Sequence, residues 1–297
     1  MYLIKQSELI HSIKQSIIKN EGFAVGKLGF SEQFLLGYLP FKNKNPTNIQ
    51  IKAYESLLRY HCEIQFGVFP TNSEFLIEFA NFYTRHIHSI DILGIFQADQ
   101  EKMIIQENKL NNRFIPYLYT EPDRSLPSNE KNCYLKHFED KKILFVSPFA
   151  DLLKKRATKE IFENVWSKIE KKWFYPCSFN SLEIPYSYFN SSKTHKRYLN
   201  SINLFDSIIS RISTIDFDVA FIGAGALGLP IASFIKSKGR VAISLGGHLQ
   251  VLFGIRGNRW NRDINWSSKY MNEFWVDMPE KYYPENKSIL TDDSAYW

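Results

Sequence analysis

Apolar residues in this chain fall into short runs separated by amphipathic stretches. Leu9, Ile10, Ile13, Ile17 and Ile18 recur at helical spacing, so a helix is expected in the first twenty residues, laid over a sheet. Phe23 to Leu28 reads as a short strand ending in Gly29-Phe30-Ser31-Glu32, with a helix resuming over Gln33 to Tyr38. A polar stretch, Lys42 to Thr47, crosses to a helix around Ile51 to Tyr60. Thr71 and Glu74 stand at capping-box spacing ahead of a helix over Phe75 to His86. Ile90 to Phe96 and Lys142 to Val146 are nearly continuous apolar runs, as strands covered on both faces require.

Between those two strands lies Gln97 to Asn132, broken by Pro116, Pro122 and Pro127 and expected to be irregular, a lid or acceptor-facing loops. Beyond Ser147-Pro148-Phe149-Ala150 the pattern gives a charged helix to about Lys172, a strand within Phe174 to Ile184 and a polar loop from Asn190 to Thr194. An amphipathic helix follows, from about His195 to Ser213. Then come a strand (Val219 to Ile222), the turn Gly223-Ala-Gly225-Ala-Leu-Gly228, a helix, a strand (Val241 to Leu245) and Gly246-Gly247. This alternation predicts one α/β domain over 1–297. It would be a Rossmann-like, doubly wound, mostly parallel sheet with helices on both faces and a glycine-rich nucleotide-binding half at about 214–262.

Composition narrows the classes. Aromatics make up 15% of the 297 residues, with 24 Phe and 16 Tyr, which suits a large packed core and not a disordered chain. The net charge of +6 favours anionic ligands or an anionic membrane surface, yet no Lys/Arg run with interleaved aromatics points to nucleic acid. Cys62, Cys133 and Cys177 are widely spaced and form no Cys-x-x-Cys pair, as in reduced cytosolic proteins. Val219 to Ile235 is the longest weakly polar run, but its three glycines and Pro230 suit a buried strand-turn-helix better than a membrane span. A cytoplasmic location is expected, with peripheral contact at the inner face of the membrane compatible with the charge.

The chemistry concentrates in the second half. Strand, Gly-x-Gly-x-x-Gly and helix together aim backbone N–H groups at a phosphate, here through Gly223, Gly225 and Gly228. No acidic residue lies between Asp218 and Asp263, whereas Lys236, Lys238, Arg240, Arg256, Arg259 and Arg262 supply positive charge, the profile of an anion-binding crevice. A dinucleotide site would need an Asp or Glu ending the next strand, and Val241-Ala-Ile-Ser-Leu245-Gly-Gly247 has none. Gly246, Gly247 and His248 would join the same crevice, His248 as a diphosphate partner or acid-base group. Arg256 and Arg259 suit diphosphate recognition, or simply form a basic surface loop.

Glu32 follows a glycine turn at a strand end, where side chains of α/β sites project, although a first-turn Glu is also favoured by the helix dipole alone. Lys27, Gly29 and Ser31 around it, and Ser147 at its own strand end, are further candidates for phosphate or sugar contacts. His86-x-His88 diverges on a helix and is not expected to hold metal. No zinc motif, Gly-x-Ser-x-Gly elbow or phosphate-loop lysine motif is present in the sequence.

The order of these motifs is familiar. Lys27-Leu-Gly-Phe-Ser-Glu32, Phe66-Gly-Val-Phe-Pro70, Ile143-Leu-Phe-Val-Ser-Pro-Phe-Ala150, Gly223-Ala-Gly-Ala-Leu-Gly-Leu-Pro230 and Leu245-Gly-Gly-His-Leu-Gln-Val-Leu-Phe-Gly-Ile-Arg-Gly-Asn-Arg-Trp260 resemble a family of bacterial surface-polysaccharide proteins. That family is distantly similar to the GT-D fold glycosyltransferases, and the resemblance spans about Gly22 to Trp297. It implies a single domain that binds a nucleotide-diphosphate sugar, with Mn²⁺ or Mg²⁺, and transfers the sugar to a glycan or glycolipid of a capsule or lipopolysaccharide pathway. The GT-D signature Arg-Phe-Gly-Asp-Gly-Glu corresponds to Lys27 through Glu32. Glu32 is kept, while Phe30 stands where the signature has Asp, which leaves a single carboxylate for a metal and shifts neutralisation of a diphosphate to the arginines. Under this resemblance Glu32 orients the acceptor hydroxyl, takes its proton or holds the metal. Two rivals remain: a nucleotide- or dinucleotide-dependent oxidoreductase of Rossmann type, and a noncatalytic pathway partner with a degenerate site.

Overall fold

The computed structural model describes residues 2–122, 133–285 and 295–297. Among them, the apolar runs form a single sheet of seven strands: β1 (Phe23–Lys27), β2 (Ile92–Ile95), β3 (Arg113–Pro116), β4 (Lys142–Ser147), β5 (Ser178–Glu183), β6 (Val219–Ile222) and β7 (Val241–Ser244). The order is β3-β2-β1-β7-β6-β4-β5 and every pairing is parallel. The sheet is therefore Rossmann-like and wholly parallel.

Side chains alternate along each strand, so both faces of the sheet are apolar. Ala24, Leu93, Val146, Ala220 and Ile222 enter one core, with α2 (Phe30–Lys42), α4 (Ser73–Ile87), α9 (Ser201–Ile212) and α10 (Gly228–Ser237) packed over it. Phe23, Val25, Phe145, Phe221 and Ile243 enter the other, covered by α1 (Gln6–Lys19), α6 (Ala150–Arg156), α7 (Lys159–Val165) and the segment after β7. Further helices include α3 (Asn48–Tyr60), α5 (Asp99–Glu107) and α8 (Ser192–Arg197). Neighbouring strands send the chain to opposite faces at two places. From β4 it enters α6 while from β6 it enters α10, and from β1 it enters α2 while from β7 it joins the other core. Such divergence opens a crevice beyond the carboxyl ends of the strands.

Several local expectations need correction. The segment 97–132, expected to be irregular, holds α5, the edge strand β3 and a 3₁₀ turn over Tyr117–Thr120, while 123–132 lies outside the described residues. β3 holds only two apolar residues besides Pro116, Phe114 and Ile115, after the exposed Arg113, so its apolar run is too short to be legible. The cap of α4 is Asn72, whose side chain accepts from the Phe75 N–H at 2.9 Å; Thr71 instead bonds Glu63. The polar stretch after Asn190 includes α8, and the charged helix after Ala150 breaks at Ala157, with Thr158 capping α7. No helix among the described residues is long and apolar enough to cross a membrane.

One irregular element shapes the crevice. His61–Phe66 forms a π-helix that ends at Gly67 with φ +77°. Its Phe66 carbonyl reaches the β6–α10 turn so closely that a Cβ on Gly225 would lie 2.7 Å from the oxygen, and Gly225 itself has φ +49°. Gly246 also has a positive φ, +55°, but faces open space. Gly225→Ala should therefore cost clearly more stability than Gly246→Ala, which carries only the left-handed penalty of about 1–2 kcal/mol. Urea unfolding of the two variants checks this, and equal losses would mean that the π-helix does not press on the turn.

Candidate functional site

The crevice at the carboxyl edge of the sheet holds a cavity of about 480 Å³, within the range of small-molecule sites. Its floor is a buried cluster of charge. Lys27, the last residue of β1, donates from Nζ to Glu121 Oε1 at 2.9 Å, and the same oxygen lies 2.9 Å from His248 Nδ1. Lys27 Nζ and His248 Nδ1 are 3.3 Å apart. Glu121 is fully buried, and Lys27 and His248 nearly so. With Nδ1–H donating to Glu121, a neutral His248 ring carries its acceptor on Nε2. Trp260 packs edge-on against that ring at 5.7 Å and fixes its plane.

Glu32 stands above this floor in the first turn of α2, whose N-cap is Gly29. Its carboxylate folds back over the helix start, accepting from its own N–H and that of Gly29. A Cβ on Gly29 would lie 2.6 Å from Glu32 Oε2, so the glycine makes room for the fold-back. Burial nevertheless dominates and pushes the Glu32 carboxyl up to about 7; the backbone donors, Lys27 and Arg259 pull the other way. Glu32 thus serves the helix terminus and also lines the cavity, where burial raises its pKa. Ser31 is turned to a polar cluster, donating to Gln65 Oε1 at 3.2 Å beside His61.

The opposite wall is built from turns. Gly223 and Gly225 after β6, and Gly246 and Gly247 after β7, line the cavity together with Arg259. Arg259 lies over the Tyr296 ring at 5.1 Å, and its N–H donates to the Ala295 carbonyl. Gln250 Nε2 donates to the Tyr296 carbonyl at 2.9 Å, so residues 295–297 dock on the glycine-rich unit as a side wall. Tyr282 and Trp297 are buried, so the described aromatics of the C-terminal stretch pack onto the body.

Lys27, Gly29, Ser31, Glu32, Gly223, Gly225, Gly246, Gly247, His248 and Arg259 line one cavity, brought together from β1, β6 and β7. Three expected donor-binding residues do not line it. Ser147 is fully buried and accepts from the Phe149 N–H at 3.1 Å, closing its own turn. Gly228 lets α10 pack on β7: a Cβ there would lie 2.7 Å from Ser244 Oγ. Arg256 faces Asp277 at 3.7 Å and the Asn272 carbonyl. Of the six cations between Asp218 and Asp263, only Arg259 lines the cavity. Lys236 is bound to Asp91 at 2.7 Å, beside the amino ends of the strands, and Arg240 to the Ile215 carbonyl.

Sequence reasoning missed Glu121, Phe96, Tyr117 and Tyr296. Glu121 sits in a proline-broken segment where no spacing marks it, and only the fold carries it under Lys27. His86 bonds Ser233 Oγ at 3.1 Å, and burial lowers its pKa to about 4. Among the described residues, the donors at the cavity do not make a divalent-metal site. No group of three His, Cys, Asp or Glu residues converges among the described residues, Glu121 is taken up by Lys27 and His248, and Glu32 faces two cations.

Compared with known proteins, the chain matches no family model, no curated protein and no solved structure.

Two outcomes are expected. Glu121→Gln removes the buried carboxylate that pairs with Lys27 and should lower the unfolding free energy by about 3–5 kcal/mol, whereas Lys102→Gln, which breaks an exposed pair with Asp99, should leave the urea midpoint unchanged. Glu32, raised from 4.5 to about 7, binds its proton more tightly when folded. Its contribution to stability is full below pH 4.5 and is lost as pH rises through 7. Glu32→Gln should therefore flatten that slope and be more stable than the parent at pH 8 by roughly 1–3 kcal/mol. Denaturation at pH 5 and pH 8 decides it.

Proposed function

We propose that this protein is a glycosyltransferase that moves a sugar from a nucleotide-diphosphate donor to a bacterial surface glycan or glycolipid. One observation carries the proposal: a carboxyl group poised near pH 7, Glu32, faces a wall of glycine turns and Arg259 across a single cavity. Transfer at an anomeric carbon needs few parts. The acceptor oxygen forms its bond to that carbon as the bond to the diphosphate oxygen breaks, the acceptor proton goes to a base, and the diphosphate leaves with added negative charge.

Each part has a candidate. Glu32 takes the acceptor proton, since a base works best with a pKa near the working pH. The turns at Gly223 to Gly225 and Gly246 to Gly247 bring backbone close to the diphosphate, and Arg259 offers it a planar fork. The start of α2 is already served by Glu32, so the β6–α10 side is the better place for the phosphates. Glu121 acts as a positioning residue by holding the Lys27 and His248 side chains at the floor. Among the described residues, Mn²⁺ or Mg²⁺ would have only Glu32 as a carboxylate ligand, so no step is routed through it.

A thermal-shift panel of nucleoside diphosphates and nucleotide sugars, with and without Mn²⁺, tests the reading. A specific donor at 100 times its dissociation constant should add about 2.7 kcal/mol of stability. Glu32→Gln should keep that shift and lose transfer by about 10²- to 10⁴-fold, while Arg259→Ala should lose the shift. Unchanged turnover in Glu32→Gln would falsify the assigned base. No shift with any nucleotide would leave a noncatalytic partner of the pathway as the better account.

A further inference from the structure

The side of the crevice away from the glycine turns carries three stacked rings. Phe30 and Phe96 lie 5.3 Å apart between centroids at 12°, and Phe96 and Tyr117 lie 4.1 Å apart at 16°. All three line the cavity, and Lys27 Nζ lies over the Tyr117 ring at 4.8 Å. The stack thus runs from the charged floor to the mouth, where Phe30 is 66% exposed and Phe96 42%. Three aromatic rings piled in parallel and open to water are an apolar surface without a partner on its outer end.

The stack is built, not incidental. Phe30 is the first residue of α2 and Phe96 follows β2, and a fully buried carboxylate joins the two elements. Glu101 accepts from Gln33 Nε2 of α2 at 3.1 Å and from the Gln97 N–H at 2.7 Å, with Gln97 held at φ +70° just after Phe96. Both ring-bearing backbones are therefore fixed before any ligand arrives.

We infer that the exposed face of Phe30, backed by Phe96 and Tyr117, is a stacking subsite for a sugar ring of the acceptor. The inference rests on the transferase reading for the word acceptor. Three features select a sugar over a nucleobase. The platform lies on the β1–β3 side of the crevice and the glycine turns on the β6–β7 side, so diphosphate and platform flank Glu32 from opposite directions, as an attacking hydroxyl and its leaving group do. Phe30 and Glu32 line the same cavity, so a ring resting on Phe30 lies in one crevice with a carboxylate that accepts hydrogen bonds. The platform stands at the solvent mouth, where a longer glycan can continue outward. The C–H face of a pyranose carries positive edges that suit the negative face of an aromatic ring.

The test uses saturation-transfer NMR on the full chain with methyl pyranosides of gluco, galacto and manno configuration and their disaccharides, alongside binding of nucleoside diphosphates. At least one sugar should receive saturation at the protons of one ring face. Phe30→Ala and Phe96→Ala should weaken it roughly three- to tenfold, Phe30→Tyr should restore it, and nucleotide affinity should not change. Phe30 is exposed at a helix start, so its replacement leaves the core intact. A loss of nucleotide affinity in Phe30→Ala with sugar contacts unchanged overturns the inference in favour of a base platform. Absence of sugar contacts in the parent chain at tens of millimolar overturns it as well. Sugar contacts that depend on Phe30 in a protein that binds no nucleotide would keep the subsite and remove the transferase reading.

Discussion

A lysine at the end of a central parallel strand cannot be buried alone, and the crevice is organised around meeting that requirement. Lys27 ends β1, with β2 on one side and β7 on the other, and its ammonium group is nearly sealed from water. Its counterion comes from Glu121, which follows the edge strand β3, and the same oxygen engages His248, which follows β7. Three segments far apart in the chain are thereby pinned at one point, because an unpaired charge at that depth costs several kcal/mol. The walls rest on this floor: Tyr117 packs by Lys27, and Trp260 packs by His248.

The two walls differ in chemistry as a result of where the chain goes after each strand. Past β6 and β7 the turns are tight and glycine-rich because neighbouring backbone crowds them, as Phe66 does at Gly225 and Gly246 itself does at Gly223. Past β1 and β2 the chain has room for side chains, and the rings of Phe30 and Phe96 fill it. A polar, cationic wall thus faces an aromatic one, with Glu32 between them. Burial holds the Glu32 proton near neutral pH even though its helix terminus and two cations oppose it. That balance depends on half-burial in a narrow crevice, so any change that floods the cavity would return the group to an ordinary carboxylate.

Phe30 shows how one position can shape a site. The ring has a place of its own, stacked on Phe96 and open to solvent, so the position presents an aromatic surface. The donors around Glu32 fit protonation chemistry and anion contacts better than coordination of a hard cation.

The sequence by itself determined six of the strands, the α/β class, the glycine turns and the cluster from Lys27 to Glu32, because buried parallel strands and tight turns leave their mark on adjacent residues. It also marked His248 and Arg259, through nearby glycines. It did not mark β3, which has only Phe114 and Ile115 as an apolar run, nor the π-helix at His61–Phe66, which lies against the β6–α10 turn. Charge counting along the chain misled for the same reason: of six cations in one acid-free stretch, only Arg259 lines the cavity, since which side of a helix or loop faces a crevice is fixed by topology. Glu121, Phe96, Tyr117 and Tyr296 entered the site only through the tertiary structure. Their roles come from neighbours dozens of residues away, and a pairing of that kind is decided by the burial of Lys27 and the order of the strands, not by local pattern.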